Sequence, residues 1–397
     1  MSSKCPAPRL PAIVLALLLA SCGRPAAVRT AVVRVLPPAV HTAPEVSISA
    51  GETHVYRLDL PAGTFADLAV DQHGADVKAS VDGPDGRLAA SDGNFGAWVT
   101  EPVPFIANRP GHYRLEVRLF DAPSGRYVVR LAALRPATPR DRDRVAAEGL
   151  FTHSEELRRR GDRRSLTAAV ETGRKALAGF QALGEHGREA AVLYSLAWAS
   201  VELDRLEEAL TFNDRALALF RAQRREREEG WTLNLLGQIH RYRGETGQAL
   251  ALYDEALALN QRLGERWAQA ASLQGLGMVY RSLGETDQAI ARYQRALDLW
   301  RALGDRKREA TTLSSLGELY QVSGEPETGL AHLDSALAIF TAKGDAQEQA
   351  RTLISMGGAY SRMGQGRQGI QALERALAIE QGLGDLGGQA QTLNDLG

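Results

Sequence analysis

Cysteine is nearly absent from this sequence: its 397 residues include only two, Cys5 and Cys22. Two cysteines so close to the N-terminus exclude a disulfide scaffold. An excess of positive charge is also lacking, because 47 Lys and Arg residues face 48 Asp and Glu residues and the formal net charge is −1. This balance leaves no electrostatic case for a nucleic-acid partner.

The familiar catalytic motifs are missing as well. The sequence has no His-Glu-x-x-His, no Gly-x-Ser-x-Gly and no phosphate loop ending in Gly-Lys-Ser/Thr. A Gly-x-Gly-x-x-Gly does occur at Gly364, Gly366 and Gly369, but it follows a predicted helix, whereas a dinucleotide site needs a preceding strand. We therefore predict that these residues hold no catalytic group, no cofactor and no metal site.

A repeat of about 40 residues dominates the C-terminal half. Leu236-Gly237 returns as Leu276-Gly277 and Leu316-Gly317, and the alanines and glycines that follow return at the same intervals. A further copy is centred on Gly357, and an earlier, more diverged copy contains Leu196-Ala197. A fixed period over five copies predicts a solenoid.

Each repeat is predicted to be a helical hairpin. Gly244 and Gly264 separate two proline-free runs with apolar residues at helical spacing. Gly237 would allow the second helix to approach closely, so neighbouring hairpins must complete the core. His240 and His332 fall at positions that other copies fill with Tyr or with apolar and aromatic residues, and we interpret them as packed or partly exposed side chains.

The pattern resembles the tetratricopeptide repeat. The residues that carry the resemblance in the third full unit are Leu273, Leu276-Gly277, Tyr280, Ala289, Tyr293 and Ala296. The period of 40 exceeds the usual 34 of the family, which implies longer helices. The glycine breaks exclude a continuous coiled coil. We assign 145–397 to the solenoid, with a degenerate first hairpin at 145–184 and repeats at about 186–224, 226–264, 266–304, 306–344 and 346–384, then an incomplete repeat at 386–397.

The resemblance implies a peptide-binding groove lined by the first helices. Its positions lie three residues before, one after and four after the Leu-Gly glycine. They hold Tyr194, Trp198 and Val201; Asn234, Gln238 and Arg241; Gln274, Met278 and Arg281; Ser314, Glu318 and Gln321; and Ile354, Gly358 and Ser361. The amides are suited to a peptide backbone, and Arg241 and Arg281 to a carboxylate. The alternative is that these residues only keep a surface polar.

The N-terminus predicts export and lipidation. Lys4 and Arg9 precede an apolar run at 11–20, which is typical of a signal peptide and too short to span a bilayer. The end of the run, Leu19-Ala20-Ser21-Cys22, resembles the bacterial lipobox, so we expect removal of 1–21, acylation of Cys22, and an extended tether over 22–44. Gly23 after the cysteine suggests the outer membrane of a diderm cell. Cleavage nearby without lipid, or an uncleaved anchor, are the alternatives.

Residues 45–135 predict an antiparallel β-sandwich. Apolar and polar residues alternate over 46–49, 54–60, 66–71, 77–81, 112–119 and 127–131, with turn signals between them. The order of the turns resembles the bacterial pre-peptidase C-terminal-like sandwich. Its loop carboxylates are either calcium ligands or ordinary turn residues, and they are Asp76, Asp82, Asp85 and Asp92. We expect Tyr113 and Tyr127 in the core, and a linker at 136–144 in which Thr138-Pro139 offers a helix start.

These assignments predict a membrane-tethered scaffold that binds a peptide or partner protein. The order of the domains also resembles secreted proteins in which a caspase-like CHAT peptidase follows the repeats. The alternative function is therefore the regulatory region of such a peptidase, with intramolecular contact to a missing C-terminal domain. Gln391 to Gly397 restates the start of a repeat, and on that ground we expect the chain to be cut short.

Overall fold

Nine strands are followed by 13 helices in the computed structural model, which describes the backbone of residues 31–35 and residues 42–73, 77–91, 100–119 and 124–396. The fold class predicted from the sequence, a small β-sandwich followed by a solenoid of helical hairpins, is confirmed. The predicted signal peptide, Cys22 and most of the tether lie outside the described residues.

The strands form two sheets. Their bounds are β1 Ala31–Val35, β2 Val46–Ser49, β3 Thr53–Leu60, β4 Thr64–His73, β5 Val77–Gly83, β6 Gly86–Ser91, β7 Thr100–Ala107, β8 Gly111–Leu119 and β9 Ser124–Pro136. One sheet has the order β1-β3-β8-β5-β6 and the other has the order β2-β9-β4-β7. All neighbours run antiparallel except β1 and β3, which are parallel.

The core of the sandwich lies between the two sheets. Apolar side chains alternate inward on both, as in β8, where Tyr113, Leu115 and Val117 are all buried. Tyr127 of β9 is fully buried, and its hydroxyl is 2.7 Å from Nδ1 of His54 and 2.9 Å from the hydroxyl of Tyr56. The expectation that Tyr113 and Tyr127 are core residues is confirmed.

Three strands, β1, β6 and β7, were not predicted from the sequence. β1 occupies residues 31–35, so part of the segment assigned to an extended tether is instead paired with β3. β7 contains Pro102 and Pro104, which argue against a strand in a sheet interior. All three lie at sheet edges, where an unpaired side of the strand tolerates proline.

Two of the four loop carboxylates considered as calcium ligands form ion pairs. Asp82 pairs with Arg87 at 3.3 Å and Asp85 with Arg109 at 3.1 Å, while Asp76 and Asp92 lie outside the described residues. In the part of the chain that the structure describes, no three His, Cys, Asp or Glu side chains are grouped so as to hold a metal ion.

The helices follow one another in sequence with only short turns between them. Their bounds are α1 Pro139–Arg160, α2 Arg163–Leu183, α3 His186–Glu202, α4 Leu206–Ala222, α5 Glu226–Tyr242, α6 Thr246–Leu263, α7 Arg266–Ser282, α8 Thr286–Leu303, α9 Arg306–Val322, α10 Pro326–Lys343, α11 Ala346–Arg362, α12 Gly366–Leu383 and α13 Leu386–Leu396. None of these described helices is both long and apolar enough to cross a bilayer.

Helix α1 begins inside the residues assigned to a linker, 136–144. Thr138 caps the helix, and the side chain of Asp141 accepts hydrogen bonds from the Thr138 backbone N–H and, in a two-pronged contact, from Arg135 of β9. Arg144 of α1 pairs with Asp67 of β4 at 2.7 Å. The sandwich and the first hairpin are therefore joined by side chains, and the irregular connection between them is confined to 137–138.

The turns between helices share one backbone conformation. Gly184, Gly244 and the equivalent glycines of the later turns have positive φ values between 67° and 87°. Two turns keep this left-handed conformation without glycine, at Asp204 with φ 59° and Arg224 with φ 54°. Non-glycine residues seldom adopt it, so packing of the flanking helices imposes the shape of the turn.

Successive hairpins are joined by a side-chain contact that takes two forms. Where the contact residue in the first turn of a hairpin's first helix is Glu, its carboxylate accepts a hydrogen bond from the residue eight positions earlier. Glu229 accepts from Arg221 in this way, and Glu309 accepts from Arg301. Where the contact residue is Gln, its amide donates to the backbone carbonyl nine positions earlier, as Gln269 does to Asn260. The same joint is thus built with either a charged or a neutral side chain.

Candidate functional site

The predicted groove lies on the first helices of the hairpins. Residues 1–199 and 200–397 form two compact units, and most groove positions belong to the second. Within it the first helices of neighbouring hairpins contact one another directly, α5 with α7 and α9 with α11. Within each hairpin the second helix approaches the first closely, because Gly237 of α5 and Gly277 of α7 lie against the rings of Tyr253 of α6 and Tyr293 of α8, where an added Cβ would be 3.0 Å from ring atoms. This confirms the role predicted for Gly237.

Two of the five positions three residues before the glycine connect repeats. Oδ1 of Asn234 accepts from Ser272 Oγ at 2.7 Å, and its Nδ2 donates to the carbonyl of Ala268 at 3.4 Å. The hydroxyl of Ser314 is 3.5 Å from that of Thr352. The Asn234 amide therefore forms its hydrogen bonds with the next hairpin. Gln274, at the same position of the next repeat, is half-buried.

The third and fourth full repeats are also bridged on this face. Arg281 pairs with Glu318 at 3.1 Å, and Glu318 accepts in addition from Ser355 Oγ at 3.2 Å. Gln321 is buried and donates to the carbonyl of Ser355 at 3.2 Å. The positive charge of Arg281 is consequently balanced within the array.

Arg241 differs from Arg281 because no carboxylate pairs with it among the described residues. Its guanidinium lies 4.3 Å from the ring centroid of Tyr242, and its buried Nε has no hydrogen-bond partner. Burial raises the pKa of the nearby Tyr253 hydroxyl to about 12, so that hydroxyl stays protonated. Gln238 adds an amide whose Nε2 is 3.3 Å from the Tyr242 hydroxyl. These four residues form one polar cluster, which we call the Arg241 cluster.

Sequence reasoning missed Tyr242 and Tyr253 as members of this cluster. Tyr253 occupies the position of Tyr293, which marks the repeat and is not a groove position, and Tyr242 falls one residue beyond the groove positions although half of it is exposed. Comparison of the repeats offers a signal, because Tyr242 is aromatic where the corresponding residues of the next two repeats are Ser282 and Val322.

The other predicted groove residues have simpler surroundings. Met278 is half-buried against the core formed by α8, α9 and α10. In the first unit, Tyr194 and Trp198 are half-buried on α3, and burial raises the pKa of Tyr194 to about 12. Val201 and Ile354 are half-buried, and Gly358 and Ser361 are exposed. The two histidines noted in the sequence have structural partners: His240 contacts Glu245, and His332 stacks on Tyr320 at 5.3 Å.

Comparison with known families identifies the part of the helical array from α5 to α12. Residues 228–302 and 308–379 match the family model described as "Tetratricopeptide repeat". These residues are tetratricopeptide repeats. The resemblance drawn from the Leu-Gly, Tyr and Ala positions is thereby confirmed, and tetratricopeptide repeats are typical of protein–protein interaction scaffolds. No curated protein matches the chain in sequence.

Several solved structures resemble the tetratricopeptide-repeat part. BtubC from P. vanneervenii is 21% identical and covers 63% of this chain and 94% of its own, with a TM-score of 0.46. A Rap protein complexed with competence and sporulation factor is 12% identical and covers 64% and 74%, with a TM-score of 0.49. The apo form of the quorum sensor NprR from B. thuringiensis is 14% identical and covers 60% and 77%, with a TM-score of 0.43.

Proposed function

We propose that this chain is a protein-binding scaffold whose repeats hold a peptide or partner segment against the first helices. The observation that carries the proposal is the Arg241 cluster, in which a half-buried cation without a carboxylate partner among the described residues lies beside an amide and two tyrosines. A cation on a partly desolvated surface gains most from a carboxylate supplied by a ligand.

The partner segment is acidic where it meets Arg241. Arg281, the second cation of the predicted groove, is already paired with Glu318 and contributes less. The Gln274 amide lies on the same set of helices and is suited to a peptide backbone, because an amide both donates and accepts. Asn234, Ser314, Glu318 and Gln321 hold repeats together and keep this surface in shape.

A charge reversal at Arg241 tests the proposal. The immobilised chain is used to capture proteins from an envelope extract, and Arg241→Glu is expected to reduce capture of the bound partner by about tenfold or more, equivalent to about 1.4 kcal/mol. Arg295→Glu, an exposed change on α8, is the matched control and should leave capture intact. If Arg241→Glu captures the partner as the unchanged chain does, the groove is not the binding site.

We also propose that the scaffold is anchored to the cell envelope through lipid on Cys22. Support comes from the basic residues Lys4 and Arg9, the apolar run and the lipobox-like end of that run. Cys22→Ala is expected to abolish acylation and release the protein from the membrane fraction. Cys5→Ala, within the segment to be removed, should change neither. An acylated, membrane-bound Cys22→Ala variant would show that the anchor lies elsewhere.

A second candidate is that the chain regulates a caspase-like CHAT peptidase encoded beyond Gly397. The order of sandwich and repeats favours it, because that order resembles the secreted proteins that end in such a domain. Sequencing the gene past the codon for Gly397 tests it directly. A downstream α/β domain with a His and Cys dyad supports this candidate, and an immediate stop codon leaves the scaffold alone.

A further inference from the structure

A cleft of about 360 Å³ opens between α8, α9 and α10, away from the Arg241 cluster. Its apolar wall includes Leu313 and Ile339, and its rim carries Arg301, Arg306 and Lys343. A volume of several hundred Å³ with an apolar lining and a few convergent polar groups is typical of small-molecule sites.

The corresponding place two repeats earlier is bridged by ion pairs, and we call it the closed joint. There Arg221 donates to two carboxylates, with Nε 2.7 Å from Glu229 and Nη2 2.7 Å from Glu255. Arg262 of α6 and Glu226 of α5 form a further ion pair, with Nη2 and Oε1 3.0 Å apart. Three ion pairs thus bridge the place that corresponds to the cleft of the later repeat.

Comparison of this closed joint with its counterpart two repeats later shows how the cleft arises. Arg221 and Glu229 correspond to Arg301 and Glu309, whose ion pair is kept at 3.2 Å. The counterpart of Glu255 is Ser335, whose hydroxyl is directed to the carbonyl of Ala331 on its own helix. Arg301 therefore pairs with one carboxylate, whereas Arg221 pairs with two.

Ser335 is unusual among the repeats. The residues at the same place in the other copies all have long, charged side chains, and they are Lys175, Arg215, Glu255, Arg295 and Arg375. The ion pair between Arg262 and Glu226 is also lost, because these residues are replaced by Ala342 and Arg306. Shortened side chains open the cleft, and the exchange of Glu226 for Arg306 makes its rim more basic.

The charges around the cleft do not balance. Glu309 is buried and accepts from both Arg301 and Arg306, at 3.2 and 2.6 Å. Lys343 has no ion-pair partner in the described part of the chain, and four other copies have leucine at its position, namely Leu183, Leu263, Leu303 and Leu383. Three cations thus surround one carboxylate, that of Glu309. In the closed joint Glu255 provides a second carboxylate, which has no counterpart here.

We propose that this cleft binds a small monocarboxylate with a short aliphatic tail. The ligand carboxylate takes the place of the Glu255 carboxylate beside Arg301, and Lys343 adds a second cation at the rim. The tail lies against Leu313 and Ile339, where it removes apolar surface from water. Glu309 in the same cleft repels a second negative charge, which favours a monocarboxylate over a phosphate or a dicarboxylate.

Calorimetric titration of the full chain with octanoate tests the site, at concentrations below micelle formation. One saturable site per chain is expected, with an affinity about tenfold or more above that of octanol, which has the same tail without the charge. Because the contact is ionic and near the surface, octanoate binding should weaken as salt is raised. Absence of saturable binding, or equal affinity for octanol, would overturn the proposal.

The variant Ser335→Glu separates this cleft from any other binding surface. It restores the carboxylate that closes the sister joint, so octanoate affinity should fall about tenfold or more while the melting temperature of the ligand-free chain is unchanged or higher. The converse change, Glu255→Ser, opens the joint two repeats earlier and should leave the first site intact. Unreduced octanoate binding to Ser335→Glu would place the ligand outside the cleft. Neither variant alters the Arg241 cluster, so partner capture reports on the scaffold independently.

Discussion

Gly275 shows how closely two helices can be packed when one residue has no side chain. A Cβ at this position would overlap the ring of Tyr253, whose Cδ1 would be only 2.8 Å away. The ring is held between neighbouring helices and cannot swing away, so Gly275→Ala should lower the free energy of unfolding by about 1–3 kcal/mol. Urea denaturation followed by circular dichroism measures the change.

Gly247 provides the matched control for that substitution. It lies in α6, and an added Cβ would meet nothing within 4 Å. Gly247→Ala should therefore raise stability by about 0.5–1 kcal/mol, the usual gain for alanine in a helix. Equal effects at the two glycines would mean that the ring of Tyr253 does not limit the approach of the helices.

Asp141 makes the joint between sandwich and helices sensitive to acid. The Arg135 guanidinium and then the Thr138 hydroxyl and N–H hold the pKa of Asp141 well below its usual range. Because the folded pKa is lowered, the stability that Asp141 contributes is fully present above its unfolded pKa of about 3.9 and is lost as pH falls through the folded value.

Asp141→Asn should consequently destabilise the first unit at pH 7, and the difference from the unchanged chain should shrink as pH falls below about 4. Urea midpoints at neutral and acidic pH measure this. Asp143→Asn, an exposed change on the same turn with no ion-pair partner in the described residues, is the control. A deficit that persists undiminished in acid would assign the effect to geometry instead of charge.

At the same scale, the contacts of the predicted groove residues could not be derived from the sequence. The repeat pattern placed Asn234, Glu318 and Gln321 on the first helices of their hairpins, where the structure has them. It did not show that each bonds to a residue in the next hairpin, at 2.7 to 3.2 Å. Such bonds depend on side-chain conformations in two separate repeats, which a repeat consensus does not specify.

At the scale of elements, α6 carries a buried amide at a position where most other copies have an aromatic ring. Asn260 is fully buried and neither atom of its amide has a hydrogen-bond partner in the described residues. The same position holds aromatic residues in four other copies, Phe180, Phe220, Trp300 and Phe340. A buried amide without partners is costly, so this joint is weaker than its neighbours.

Asn260→Phe should stabilise the array by about 1–2 kcal/mol, since it removes the unpaired amide and restores the apolar contact. The reciprocal change, Trp300→Asn, should cost about 3–5 kcal/mol because it empties a buried aromatic position. Both are measured as shifts in the urea midpoint. A loss of stability in Asn260→Phe would indicate that the amide has a partner, such as an ordered water.

The sheet elements explain where prediction from sequence ends. Alternation identified β3, β4, β5, β8 and β9, which have neighbours on both sides and a buried face. It also identified the edge strand β2, where Val46 and Ile48 are buried and the intervening residues are exposed. β1, β6 and β7 have one neighbour each in the described sheets, so fewer of their residues must be apolar and proline is tolerated. The pattern is weakest where the physical constraint is weakest.

At the scale of the molecule, Arg144 links the sandwich to the helices. It pairs with Asp67 of β4 at 2.7 Å and with Glu185, after α2, at 3.2 Å. Its removal leaves Asp67, which is mostly buried, without its cation, at a cost of about 1–3 kcal/mol. Arg144→Ala should therefore speed amide hydrogen exchange in β4 and in the first turns of α1.

Arg142→Ala is the control for that change, because Arg142 is exposed on the same helix and has no ion-pair partner in the described residues. Its exchange rates should match those of the unchanged chain. If Arg144→Ala also leaves exchange in β4 unaltered, the remaining bridges, Arg135 to Asp141 and Thr152 to the carbonyl of Ala90, are sufficient to hold the two parts together.

The left-handed turns at Asp204 and Arg224 bear on how such a chain can change its length. Since these turns keep their conformation without glycine, the geometry of the turn is set by the packing of whole hairpins and not by the residue at the turn. Removing 266–305 would join Glu265 to Arg306 and recreate a joint of the same form, so a shortened chain should retain its helix content per residue. Unequal recombination between repeats could therefore lengthen or shorten the protein by one whole hairpin in a single step. Each new junction would have the same form as the junctions already present.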